Sequence, residues 1–142
     1  MRFMMIVKAD ADYEAGRPFD PALLDAVGKF SEQKAKTGVL IQQGGLLPSS
    51  AGARVRVSGG KMSVTDGPFA ETKELVGGFA ILEAASRDEA IRLGKEFMQL
   101  HVDVLGKSYE GTLEIRQMFD TANGRCVHPE SVGESTGTRA LA

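Results

Sequence analysis

The chain has few of the residues that disulfide, metal and redox sites require. Cys126 is the only cysteine of its 142 residues, and there are two histidines and no tryptophan. A single cysteine excludes a disulfide within this sequence, which suits a reducing cytoplasm, and we expect that location. The sequence also lacks a His-x-x-His pair, a cysteine cluster and the carboxylate spacing of a calcium loop. We therefore predict neither a metal ion nor another bound cofactor.

An excess of charge of one sign and long apolar runs are also lacking. The 17 basic and 19 acidic residues give a formal net charge of −2. Without a basic stripe, neither nucleic acid nor an anionic membrane is expected as a partner. No apolar run approaches the length of about 20 residues that a membrane-spanning helix needs. The apolar start at residues 3–7 is short and lacks a small-residue cleavage site. We therefore interpret it as a first strand and not as a signal peptide.

The order of local signals predicts an α+β domain. Asp20 before Pro21 is a helix start, and Ser86 with Glu89 forms a capping box at a second one. A Gly59-Gly60 turn predicts a hairpin between two short strands. Residues 12–17 are interpreted as a polar loop. From Thr121 the composition turns to small and polar residues, so we expect a domain over residues 1–120 and a mobile tail over 121–142. The predicted strands are residues 3–7, 39–41, 54–57, 62–65, 79–82 and 113–119.

This order, β-α-β, hairpin, β-α-β, predicts a ferredoxin-like antiparallel sheet with two helices on one face and an inserted hairpin. Residues 3–7 and 79–82 are apolar on both sides, whereas a half-exposed sheet should alternate. The sequence offers no third long helix for the second face. The simplest cover is a second copy of the chain stacked on that face, so we predict a homodimer.

Residues 66–74, Asp-Gly-Pro-Phe-Ala-Glu-Thr-Lys-Glu, place a tight turn, one aromatic ring and four ionisable groups in nine positions. This run resembles the complete signature of the DGPFAETKE proteins, within the YCII-related group, and the resemblance extends over residues 1–119. It implies a dimeric α+β barrel and a family whose functions are largely uncharacterised. Proteins resembling this one are bacterial and often occur beside alternative sigma factors, which leaves a regulatory role open.

Asp66 is the candidate catalytic residue. As a carboxylate at a strand end near a dimer cleft, it is either a general acid or base, or a turn-former that accepts hydrogen bonds from its own backbone. In the wider YCII-related group a His–Asp pair has been proposed as catalytic. The first predicted helix of this sequence has no histidine, so that mechanism does not carry over directly.

Further candidates for ligand binding are charged or aromatic, and each has a structural alternative. Within the signature, a cluster of carboxylate and ammonium groups either binds a polar ligand or is simply solvated. Paired arginines on the hairpin either hold an anion or solubilise an outer face. A charged pair on the last strand faces the dimer interface or its cleft, and a histidine on the second helix is a ligand or a core-edge residue. These candidates are Phe69, Glu71, Lys73, Arg54, Arg56, Glu114, Arg116 and His101.

Two functions follow from these observations. One is a small-molecule-binding protein or cofactor-independent enzyme that uses an acid/base carboxylate at the dimer cleft. The alternative is a non-catalytic regulatory or protein-interaction module, linked through the resemblance to sigma-factor regulation. The sequence does not name a substrate, because fold alone does not define a site.

Overall fold

The computed structural model describes residues 1–70, 74–122 and 124–129, and its elements form an α+β architecture. A 3-10 turn, Ser49–Ala51, lies between the second and third strands. In chain order the elements are β1 (Arg2–Lys8), α1 (Ala11–Glu14), α2 (Pro21–Lys36), β2 (Leu40–Gly45), β3 (Ala53–Ser58), β4 (Lys61–Asp66), β5 (Val76–Glu83), α3 (Arg87–Leu105), β6 (Leu113–Gln117), β7 (Asp120–Ala122) and β8 (Arg125–Val127).

Four antiparallel strands form the main sheet in the order β2-β5-β1-β6. Strands β3 and β4 pair only with each other as a hairpin, as do β7 and β8. The α+β class and the antiparallel sheet are confirmed, and the arrangement is consistent with the predicted ferredoxin-like fold. No described helix is both long enough and apolar enough to cross a membrane.

The two long helices begin where their capping residues predict. The Asp20 carboxylate accepts a hydrogen bond from the Ala22 N–H at 2.8 Å, ahead of α2. Ser86 Oγ accepts from the Glu89 N–H at 3.1 Å, ahead of α3. The Glu89 side chain in turn accepts from the Ala85 N–H, one residue before the position that a capping box uses. These local signals suffice to fix the helix starts.

The core lies between the sheet and α3. Phe3 and Met5 project from β1 toward the helix layer, where both are buried. Gly94 brings α3 close to the sheet: a Cβ added there would lie 2.8 Å from Ile115 Cδ1. Only glycine permits this approach without displacing a side chain. The buried apolar cluster consists of Phe3, Met5, Leu82, Ala84, Ala90 and Leu93.

The opposite face of the sheet carries the alternate residues of the same strands. Met4 pairs with Ile81 and Ile6 with Phe79, and on β6 their neighbours are Arg116 and Glu114. Directly opposed residues of an antiparallel pair share one face, so these side chains form a single surface. The four apolar side chains are half-buried in the single chain. We call this surface, made of Met4, Ile6, Phe79, Ile81, Glu114 and Arg116, the open face.

The hairpin exposes an apolar face of its own. Val55 pairs with Val64 and Val57 with Met62, and their exposed fractions are 68, 68, 63 and 77%. Clusters of exposed aliphatic side chains on a protruding hairpin are typical of interaction surfaces. We call this four-residue surface the hairpin face.

Several details differ from the sequence predictions. Strand β2 extends to Gly45, beyond the predicted residues 39–41, and β6 ends at Gln117, two residues before the predicted end. The prediction of a loop over residues 12–17 is wrong in its first part, because Ala11–Glu14 forms the helical turn α1. Strand β5 begins at Val76, earlier than predicted, and includes Gly77 and Gly78. In the predicted tail, β7 and β8 form a short hairpin, and the Phe119 and His128 rings meet with centroids 6.1 Å apart. Mobility of the tail stays a prediction, and residues 130–142 lie outside the described residues.

Candidate functional site

One end of the main sheet gathers the connections that carry the candidate residues. Strand β1 ends there as β6 begins, with Val7 opposite Leu113. Strand β2 ends there as β5 begins, with Gly45 opposite Gly78. The segment after β2 and the described part of the signature run meet at this end, which we call the loop end.

The helical turn α1 connects the segments that meet at the loop end. The Asp10 carboxylate caps it by accepting from the Tyr13 N–H at 2.7 Å. The Tyr13 hydroxyl then contacts the carbonyl oxygens of Leu46 and Gly77, joining the end of β2 to β5. Gly77 is buried against the Tyr13 ring, and a Cβ there would lie 3.3 Å from Tyr13 Cε2. The position of the ring therefore depends on a residue without a side chain.

Glu14 extends the connection to the signature run. Its carboxylate accepts from the Ser49 N–H at 2.9 Å and from the Ser49 hydroxyl. Ser49 Oγ accepts in turn from the Phe69 N–H at 3.0 Å. A carboxylate that accepts from both the backbone N–H and the hydroxyl of one serine fixes the orientation of that hydroxyl. Phe69 is thus held by a three-residue relay that begins on α1.

Gly67 packs closely against the segment that contains Ser49. Its N–H donates to the Gly52 carbonyl at 2.9 Å, and a Cβ at Gly67 would lie 1.7 Å from the Ser49 carbonyl oxygen. No side chain can occupy that position unless the backbone moves. The Arg54 guanidinium lies over the Phe69 ring, with Cζ 3.9 Å from the ring centroid, a cation–π geometry. Glycine and the stacked ring together fix the described start of the signature run.

Asp66 is the last residue of β4, opposite Ala53, and its side chain is exposed. No residue of the described ranges donates a hydrogen bond to its carboxylate, so the backbone bonds expected of a turn-former are not formed with them. Its role as an acid or base stays a prediction. Glu71 and Lys73 lie outside the described residues.

Lys8 is a site residue that the sequence reasoning missed. Its side chain is only 18% exposed, and Nζ lies 3.5 Å from Glu74 Oε2 and 3.9 Å from Glu114 Oε1. Glu74 is the last residue of the signature, and Glu114 belongs to the open face. Lys8 therefore stands where the signature meets that face. Contacts so distant along the chain leave no pattern in the sequence.

The remaining candidates are dispersed. Arg116 is on the open face opposite Met4, two residues beyond Glu114 on β6. Arg56 is exposed on the hairpin, on the same side as Arg54. Neither the open face nor the hairpin includes His101, which is in the helix layer.

The contacts of His101 are those of a packed side chain at the edge of the core. It is 8% exposed, and its Nδ1 lies 3.0 Å from the Phe97 carbonyl oxygen. Because a carbonyl only accepts, Nδ1 is the donor. The imidazole stacks on Tyr109 with centroids 5.2 Å apart. Burial raises the pKa of the Tyr109 hydroxyl, and the nearby Asp10 carboxylate raises it further. This cluster supports the core-edge interpretation of the histidine.

Comparison with known proteins agrees with this architecture. The YCII-related domain family matches residues 1–99. The chain belongs to the YCII-related family. An uncharacterised protein of Rhizobium meliloti strain 1021 is 40% identical over 73 residues, which are 51% of this chain and 56% of the relative. The chain thus spans little more than half of that relative's length. Strand β6, with Glu114 and Arg116, lies beyond the residues that the family matches.

Proposed function

We propose that this YCII-related protein binds a small polar molecule in a cleft at the loop end, between the open face, the signature run and a second copy of the chain. The observation that carries this proposal is the position of Lys8. Its ammonium group is largely withdrawn from solvent, beside a surface on which the apolar Met4 and Ile6 adjoin charged residues of β6. A few polar groups converging beside apolar side chains are typical of small-molecule sites.

The ion pairs of Lys8 leave it available to a ligand. Charge-assisted N–H···O hydrogen bonds are about 2.7–2.9 Å long. The Lys8 contacts with Glu74 and Glu114, at 3.5 and 3.9 Å, are both longer. A carboxylate or carbonyl oxygen of a ligand can approach the ammonium more closely than either of these side chains does. The site therefore favours a ligand with an acceptor group at one end.

The second copy supplies the other wall of the cleft. Both long helices pack on the side of Met5, so within the described chain the open face has neither of them as cover. Its half-buried apolar side chains and the hairpin face together support burial of an interface of standard size, about 800 Å² per partner. A homodimer that closes the cleft accounts for both surfaces. The single cysteine supports a cytoplasmic location.

Asp66 is the acid/base residue of this proposal if the bound molecule is transformed. Asp66 is the last residue of β4, and the next residue, Gly67, is packed against Ser49. A rigid mount lowers the entropic cost of holding a catalytic group in position. The chemistry needs no cofactor, because one carboxylate can both accept and return a proton.

Mass spectrometry of small molecules that co-purify with the protein tests the binding proposal. A compound enriched with the unmodified chain should be lost from Lys8→Met, which keeps the apolar stem and removes the charge. Lys61→Met, on an exposed position of β4, is the matched control and should retain it. Equal recovery with both variants would refute the role of Lys8.

A second function is a non-catalytic interaction module, and the hairpin face favours it. Four aliphatic side chains, each more than 60% exposed, suit a protein surface better than a polar metabolite. A regulatory partner of the sigma-factor class belongs to this alternative. Soluble, monomeric protein that gains a partner only through the hairpin face would support it over the dimer cleft.

A further inference from the structure

A cavity lies on the helix side of the sheet and extends to the loop end, where Gly45 and Gly78 also line it. It has a volume of about 490 Å³ and lies between α2, α3 and the sheet. Its walls include Val27 and Phe30 of α2, Ala80 and Leu82 of β5, and Phe97 of α3. The volume is within the range of about 300–1,000 Å³ that small-molecule sites occupy. The cavity is therefore large enough for an organic ligand.

The loose packing of α2 on the sheet explains why this cavity exists. Among the residues of α2, only Leu23 and Ser31 are buried, whereas α3 buries Ala90, Leu93, Gly94 and His101. Leu24, which also lines the cavity, is 54% exposed. Protein interiors normally pack without voids of this size. An amphipathic helix that leaves its apolar side chains half-covered indicates a surface with room for another occupant.

The charge on the cavity wall indicates which class of ligand can bind. Lys34 is the one cation among the described residues that line the cavity, and its Nζ pairs with Glu96 Oε2 at 2.8 Å. The same ammonium also lies 5.1 Å from the Phe30 ring centroid. An ammonium held at this distance by a carboxylate and a ring gains little from a second anion. The wall is thus electrically neutral, which disfavours a charged ligand.

One polar pair would orient a ligand in the cavity. The Ser31 hydroxyl donates to Gln43 Oε1 at 2.9 Å, and Ser31 is 8% exposed whereas Gln43 is exposed. This bond leaves the Gln43 amide N–H groups as donors and the Ser31 oxygen as an acceptor. A ligand with one hydroxyl, carbonyl or amine group can pair there while its apolar body fills the cavity.

We propose that this cavity binds a neutral, largely apolar small molecule that carries a single hydrogen-bonding group. The cavity lies on the Met5 face of the sheet and the proposed cleft on the Met4 face, although Phe79 borders both. Different variants test the two proposals, Ala80→Phe for the cavity and Lys8→Met for the cleft. The ligand class follows from the volume, the apolar wall, the paired lysine and the Ser31–Gln43 pair.

Fluorescence titration with N-phenyl-1-naphthylamine, a neutral apolar dye, tests this site. Saturation at one dye per chain is expected, and the anionic dye 8-anilinonaphthalene-1-sulfonate should bind at least tenfold more weakly. Ala80→Phe fills the cavity from the sheet and should weaken binding of the neutral dye by at least tenfold. Ala35→Phe, the same change at an exposed position of α2, should leave it unchanged.

Further variants keep the test decisive. Val27→Phe fills the cavity from the helix side, so a folded variant remains if Ala80→Phe disrupts the sheet. Lys8→Met should bind the dye as the unmodified chain does, which separates this site from the cleft. Unchanged dye affinity in either folded cavity-filling variant, or loss of binding after Val57→Ser and Met62→Ser in the hairpin face, would overturn the proposal.

Discussion

At the scale of single residues, Gly67 and Ser49 determine how the signature run is held. The run was recognisable from sequence, but the reason for its glycine was not. The Ser49 carbonyl occupies the space of a side chain at Gly67, and the Ser49 hydroxyl joins Glu14 to Phe69. These contacts join segments that are far apart in the chain, so no local pattern announces them.

Replacing Gly67 tests this packing. Gly67→Ala should lower the free energy of unfolding by at least about 2 kcal/mol, because the added methyl group meets backbone and not a flexible side chain. Gly28→Ala, in an open position of α2, should instead stabilise the protein by about 0.5–1 kcal/mol. Urea denaturation of both variants measures the difference. Equal stabilities would show that the segment containing Ser49 yields freely.

Asp66 is predicted to act in function and not in folding. Asp66→Asn keeps the size of the side chain and removes its charge and basicity. Because the carboxylate is exposed and accepts no hydrogen bond from the described residues, the melting temperature should change by less than about 2 °C. Turnover or binding of the co-purified compound should fall sharply. A variant that unfolds would restore the turn-former interpretation.

Phe69 contributes to stability at the same site. Phe69→Ala should cost about 1–3 kcal/mol, below the cost of a fully buried ring, because Phe69 is half-buried and covered on one side by Arg54. Denaturation curves of Phe69→Ala and of Phe69→Leu measure this cost. A loss above about 4 kcal/mol would show that the ring is buried by a partner.

At the scale of elements, the helix caps and the hairpin were predictable because their signals lie within a few residues. Asp20-Pro21, Ser86 with Glu89, and Gly59-Gly60 each act over one turn of chain. Helix α1 was missed because four residues show no apolar period. Its available signal was Asp10, a capping residue ahead of acidic residues in a first turn. Lys8 was missed because its environment is formed by three distant elements.

The ion pair between the two long helices gives the packing a pH dependence. Chiefly through a hydrogen bond, with its charge adding to the effect, the Lys34 ammonium holds the pKa of Glu96 below its ordinary value of 4.5, although burial opposes it. A carboxyl whose pKa is lowered on folding stabilises the protein above its unfolded pKa. That contribution is lost as the pH falls below 4.5.

Glu96→Gln should therefore lower the free energy of unfolding by about 0.5–1 kcal/mol at pH 7, and the difference should vanish in strong acid. Glu32→Gln removes a more exposed pair with Lys36 and should change stability by less than about 0.3 kcal/mol. Denaturation at pH 7 and in strong acid, at about pH 2, compares the variants. A Glu96→Gln effect that persists in strong acid would indicate lost packing and not lost charge.

At the scale of the whole molecule, the sequence predicted the sheet and a need for cover on its second face. The structure shows the open face and also the hairpin face. The alternating pattern of β3 and β4 did not reveal the hairpin face until the pairing of the two strands was known. We propose that a second chain covers these surfaces, and no single-chain pattern describes such a cover. The dimer and its cleft are accordingly the central claim.

Native mass spectrometry of the unmodified chain tests that claim most directly, because one spectrum reports both oligomeric state and bound compounds. The account predicts a dimer carrying a small-molecule adduct. That adduct should be absent from Lys8→Met and retained in Ala80→Phe, which alters only the cavity on the other side of the sheet. A monomer at micromolar concentration, or a spectrum in which Lys8→Met removes no adduct, would contradict it.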